Sequence, residues 1–265
     1  MTRLEAADLA VGYPNKQIIN HLSVQIPEGK ITSLIGPNGS GKSTLLKALA
    51  HILPVTKGTI KLNDLELITY GTKELAKQIA LLAQSSEGPL GMTVEEIVSY
   101  GRYPYQKAFS GLNESDYAAI NWAIDACRLT DLRGRELSTL SGGQAQRVWI
   151  AMALAQETGI LILDEPTTYL DPAHQLEILQ LLLKINQEKN TTIIMSIHDI
   201  NHASRFSDYL LGLRDGDLIV EGTPEQVITE KSMEQLFDIK ATIVPLPESG
   251  KPVFLTYDLM QGENL

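Results

Sequence analysis

The segment Gly36-Pro37-Asn38-Gly39-Ser40-Gly41-Lys42-Ser43-Thr44 constrains this chain more than any other. It places a glycine, then four residues, then Gly-Lys-Ser, which is the spacing of a phosphate-binding loop. Such a loop needs a strand to deliver the chain into it and a helix to carry the chain away. Ile31-Thr32-Ser33-Leu34-Ile35 reads as a buried strand, and Leu45 to Ala50 reads as the first turns of a helix. Glycines at 36, 39 and 41 let the backbone turn so that successive amides converge on phosphate oxygens. The helix start near Lys42 adds the positive end of its dipole at the same point. Lys42 is then placed to reach the β- and γ-phosphates of a nucleoside triphosphate, and the Ser43 hydroxyl to ligate Mg²⁺.

A second signal is Ile160-Leu161-Ile162-Leu163-Asp164-Glu165. Four apolar residues make a buried strand, and two carboxylates stand where it emerges, at the edge where open α/β sheets bind ligands. Asp164 is suited to hold Mg²⁺ through its water shell, and Glu165 to orient and polarise an attacking water as general base. A third signal is Leu140-Ser141-Gly142-Gly143-Gln144, a serine and two glycines at a helix start, which forms a second anion cradle. Two cradles with a single loop lysine make sense if the second covers the nucleotide of another copy of the chain.

The rest of the chain is consistent with a large α/β core. Strand-like runs occur at Leu4 to Val11, Ile31 to Ile35, Ile160 to Leu163 and Thr191 to Ile197, with helical patterns between the later ones. Asn63-Asp64 and Asp215-Gly216 predict hairpin turns. From about Ser86 to Gln156 the strand signal vanishes. There Thr93-Val94-Glu95-Glu96 predicts a capping box, and Glu114 to Cys127 carries apolar residues at helical spacing, so this stretch reads as an inserted helical subdomain. Asp171-Pro172 opens another helix, with Leu176, Leu179 and Leu183 expected to face the core. Trp149 and Met152 are likewise expected in the core, and the tail from Ile239 to Tyr257 as a small β-structured cover.

Composition excludes some classes of function. A net charge of −10 argues against nucleic acid as the main partner, because phosphate backbones select basic surfaces. The lone Cys127 forms no internal disulfide and suits a reducing cytosol; its spacing with Ile120, Ala123 and Ile124 predicts a packed core thiol. The N-terminus, Met1-Thr2-Arg3-Leu4-Glu5, has no apolar run after its charge and does not read as a signal peptide. The chain reads as a soluble cytosolic protein.

At these residues the sequence resembles the ATP-binding cassette family, the ATPase subunits of ABC transporters, over nearly its whole length. The resemblance implies an α/β fold: a P-loop NTPase core with an antiparallel β subdomain and an inserted helical subdomain. It assigns residues 1–85 and 157–240 to the core, 86–156 to the helical subdomain and 241–265 to a small C-terminal extension. It implies that Tyr13 stacks on adenine, Gln84 senses Mg²⁺ and the attacking water, and Ser141, Gly142, Gly143 and Gln144 contact the γ-phosphate across a dimer. Asp171 links the two sites, and His198 hydrogen-bonds the γ-phosphate. The implied partners are a second copy arranged head to tail around ATP and Mg²⁺, an integral membrane permease and, indirectly, an extracytoplasmic solute-binding protein. Such a subunit works at the cytoplasmic face of the membrane. Gly91 to Val98, Gly101-Arg102-Tyr103-Pro104-Tyr105, Gln146 to Gln156 and Glu165 to Asp171 are similar to the ferric-siderophore, haem and cobalamin importers. A siderophore is the expected cargo, with haem, cobalamin or a metal ion as alternatives, and a non-transport member of the family as the rival from another class.

Overall fold

The computed structural model describes residues 4–83, 91–107 and 111–260. Internal contacts separate the chain into two compact units, Met1–Leu67 with Ile194–Leu265, and Ile68–Ile193. The first unit opens with β1 (Leu4–Tyr13), β2 (Lys16–Ile26), β3 (Ile31–Ile35), α1 (Lys42–Leu49), β4 (Val55–Leu62) and β5 (Leu65–Glu66). The second contains α2 (Thr72–Ala76), β6 (Ile79–Leu82), α3 (Val94–Ser99), α4 (Glu114–Ala126), α5 (Gly142–Ala155), β7 (Ile160–Leu163) and α6 (Pro172–Lys189). The strand β8 (Thr192–Ser196) carries the chain back to the first unit. That unit closes with α7 (Ile200–Phe206), β9 (Tyr209–Arg214), β10 (Asp217–Gly222), α8 (Pro224–Val227), α9 (Glu230–Phe237), β11 (Ile239–Pro245) and β12 (Pro252–Leu259).

In the first unit an antiparallel sheet has the order β2-β1-β4-β5. Its alternation is interrupted at Asp8, whose φ of 49° marks a bulge. The inward positions pass there from Leu4 and Ala6 to Leu9 and Val11, and the pairing with β2 shifts register at the same place. Asn63 and Asp64, both at positive φ, close β4 onto β5 in the two-residue hairpin their sequence predicts. Asp215 and Gly216 do the same for β9 and β10. The fully buried strand β3 runs parallel to β9. The tail expected as a β-structured cover is the β11–β12 hairpin. It is pinned to α7 by reciprocal bonds between the Asn201 amide and the Phe254 backbone (2.8 and 3.0 Å) and by the Ser204 hydroxyl donating to the Pro252 carbonyl.

In the second unit β6 and β7 pair in parallel, from Ile79↔Ile160 to Leu82↔Leu163. The helices start where side chains satisfy their free amides. Thr93 and Glu96 form the predicted capping box at α3, and Asn113 with Asp116 forms another at α4. Asp171 caps α6 with Pro172 at its first position. The inward face of α6 differs from the expected one. Ile178, Leu179, Leu182 and Ile185 are buried, whereas Leu176 and Leu183 are half-buried. The leucine-rich run offered several apolar stripes at helical spacing, and tertiary packing selected among them. For the same reason Trp149 and Met152 are half-buried, and Val148, Ile150 and Ala151 fill the core instead. Cys127 is the packed core thiol expected, and burial pushes its pKa up to about 12.

Arg102 organises this unit in a way local pattern did not reveal. Its side chain is 4% exposed. Its Nε donates to Asp116 (2.9 Å) and its Nη1 to the Ala155 carbonyl (2.7 Å) and Glu157 (2.8 Å), while Tyr105 lies under the guanidinium at 4.0 Å. The segment Tyr100–Tyr105 is thereby tied to α4 and α5. Gly101 lets α5 approach closely, since a Cβ there would sit 2.2 Å from the Met152 carbonyl oxygen. Arg102→Ala leaves the buried Asp116 carboxylate without its cation and is expected to cost about 3–5 kcal/mol of unfolding free energy. Urea denaturation measures this, and a loss below about 1 kcal/mol would contradict the assigned role.

Candidate functional site

In the first unit, β3 runs straight into the phosphate-loop segment. Gly36 has φ +145°, and a Cβ there would lie 2.0 Å from the Leu213 carbonyl oxygen, so no other residue fits without moving β9. Gly39 and Gly41 also have positive φ, and Gly41 is the N-cap of α1. No side chain caps that helix, and its first turn carries no acid. The loop is braced from behind by the Gly216 amide, which donates to the Ser40 carbonyl at 3.1 Å. Lys42 is 5% exposed and folds back over the loop, its Nζ donating to the carbonyls of Gly36 (2.8 Å) and Pro37 (3.0 Å). The buried Ser40 hydroxyl has no partner among the described residues. A glycine loop with an uncapped helix start and a lysine over it fits a polyphosphate.

His198 follows β8, and the Ile197 amide donates to the Leu34 carbonyl at 3.1 Å. This sets the exposed His198 at the same end of β3 from which the loop departs. Tyr13 ends β1, paired with Lys16 across the turn, and the residue is 46% exposed.

In the second unit, Asp164 extends the β7 ladder, its amide donating to the Leu82 carbonyl at 2.9 Å, and the residue is 4% exposed. Glu165 takes a left-handed conformation (φ 52°), which ends the strand sharply, and its carboxylate accepts from the Thr168 hydroxyl at 3.0 Å. Gln84 lies outside the described residues. Ser141 caps α5 in a box with Gln144, each side chain engaging the other's amide (3.3 and 3.0 Å). Asp171 accepts from the His174 amide at 3.0 Å and meets the His174 Nδ1 at 2.9 Å. Those hydrogen bonds, the backbone one foremost, hold its carboxyl below the usual aspartate range.

The structure therefore brings His198 to the edge of the phosphate loop, and Ser141–Gln144 beside the Asp171 turn. The residue between the latter two, His174, was not singled out by sequence reasoning. Its signal was available: Asp171 and His174 stand three apart in the first turn of a helix, where side chains meet.

These features define a nucleotide-binding P-loop protein. The ABC transporter family profile matches residues 19–168. The chain belongs to the ABC transporter family. It is 51% identical over 263 residues to the iron(3+)-hydroxamate import ATP-binding protein FhuC of Bacillus subtilis, covering 99% of this chain and 98% of that protein. The ferric enterobactin transport ATP-binding protein FepC of Escherichia coli is 41% identical over 253 residues, covering 96% and 93%. Among solved structures, the dimeric post-hydrolysis state of the ATP-binding cassette MJ0796, bound to ADP and Pi, superposes with a TM-score of 0.72 at 30% identity, covering 83% of this chain and 98% of that one.

Proposed function

We propose that this chain is the ATP-hydrolysing subunit of an importer for iron–siderophore complexes, working on the cytoplasmic face of the membrane against an integral permease. The observation that carries the reading is the near end-to-end likeness to FhuC. FepC, a ferric enterobactin transport ATP-binding protein, supports it. The permease would receive cargo from an extracytoplasmic solute-binding protein. Among the described residues no helix is long and apolar enough to cross a membrane, so the permease would supply the path.

Gly36 to Thr44 would hold the triphosphate by backbone amides, with Lys42 leaving the loop carbonyls for the β- and γ-phosphates. Tyr13 would stack on the adenine and His198 would hydrogen-bond the γ-phosphate. Ser43, Asp164 and Gln84 would hold Mg²⁺, which when bound neutralises phosphate charge. Glu165 would take the proton of the attacking water. Ser141 to Gln144 would close on the ATP of a second copy, with Asp171 linking the two sites. ATP binding would then join two copies and hydrolysis release them.

Uptake of radiolabelled iron from a panel of hydroxamate and catecholate siderophores and haem, with labelled cobalamin alongside, tests the cargo. Cells lacking this gene are expected to regain uptake of a ferric siderophore with the wild-type chain and not with Glu165→Gln. Recovery restricted to haem or cobalamin, or to no member of the panel, would overturn the siderophore reading.

A further inference from the structure

We propose that His174 is a positioning residue: its ring wedges the start of α5 against the start of α6, so that the Ser141–Gln144 turn and the Asp171 turn of one copy move together. The wedge rests on geometry within one unit, and its consequence for turnover rests on the shared-nucleotide reading above.

The two glycines of the Ser141–Gln144 turn have different surroundings. A Cβ built on Gly142 meets no described atom within 4 Å, whereas one built on Gly143 would lie 2.7 Å from Cδ2 and 3.0 Å from Cγ of His174. Gly143 does not have positive φ, so the glycine is required by the histidine ring and not by backbone conformation. The ring is fixed from its other side by the Asp171 carboxylate, 2.9 Å from Nδ1. An ionised carboxylate can only accept, so Nδ1 carries the proton. Asp171 thus both caps α6 and orients the ring that fills the space over Gly143. Further along the same helices Arg147 and Glu177 pair at 2.9 Å, which keeps α5 and α6 aligned and leaves His174 to set the spacing of their N-terminal ends.

In the shared-site reading, Ser141–Gln144 faces one nucleotide and Asp171 lies between both. A rigid link between those turns passes the state of one nucleotide to the other, which is a coupling free energy between sites. Removing the ring should leave each loop able to bind ATP while weakening that coupling.

The first test is a double-mutant cycle on the full chain without nucleotide. Gly143→Ala is expected to lower Tm by about 4 °C or more in the wild-type background, because the methyl group overpacks the ring. In the His174→Ala background the same substitution should cost less than about half of that. Equal losses in both backgrounds would overturn the wedge. The second test is the ATP dependence of hydrolysis by the full chain. His174→Ala should bring the Hill coefficient down toward 1 with ATP affinity of the monomer unchanged, and His174→Asn, which keeps a donor to Asp171 but not the full ring, should fall between. A Hill coefficient identical to wild type would overturn the coupling role. A wild-type chain that never dimerises with ATP would sink the shared-site reading itself, and the nucleotide-free cycle would still decide the wedge.

Discussion

Replacing Glu165 with Gln should slow ATP hydrolysis by about two to four orders of magnitude, the contribution expected of a positioned general base. The substitution is nearly isosteric. The amide oxygen can still accept from the Thr168 hydroxyl, and Gln tolerates the left-handed φ of 52° no worse than Glu. What disappears is basicity and not a group expected to hold the phosphates, so ATP binding should stay within about twofold. Phosphate release and equilibrium nucleotide binding, measured on the same preparation, separate the two effects. A variant hydrolysing within threefold of wild type would remove Glu165 from the mechanism.

Lys42→Ala should act on binding instead. The ammonium group is buried, and the carbonyls of Gly36 and Pro37 hold it over the loop. A charge-assisted bond from it to phosphate is worth about 1.5–3 kcal/mol, which corresponds to roughly a 10- to 150-fold rise in the Kd for ATP. The loop backbone is set by its glycines and by the brace from Gly216, so the fold should survive the change. Unaltered affinity by equilibrium dialysis would count against the phosphate-loop assignment.

Much of this was legible in the sequence where chemistry forces local geometry. The loop could be read because a polyphosphate cradle needs glycine at Gly36, where β9 leaves no room for a side chain. The strand Ile160–Leu163 could be read because four buried apolar residues run into two carboxylates. The caps at Thr93 and Asp171 could be read because they satisfy amides only three residues away. The strand β2 was not anticipated. Lys16, Gln17, Asn20 and His21 break its alternation, and bulges against β1 shift the register. The inward face of α6 was misjudged because an apolar run leaves the choice of stripe to its neighbours. Arg102 with Asp116 and Glu157, and His174 with Gly143, are partnerships across 14, 55 and 31 residues, all of them far beyond a helical turn, and no local period announces them.

The shared site is tested most directly by the oligomeric state of Glu165→Gln, measured by light scattering with and without saturating ATP and Mg²⁺. Blocked hydrolysis should hold the closed form, so a species of twice the 29.1 kDa chain mass should appear with ATP and disappear when ADP replaces it. A chain that binds ATP yet stays at 29.1 kDa throughout would contradict the placing of ATP between two copies.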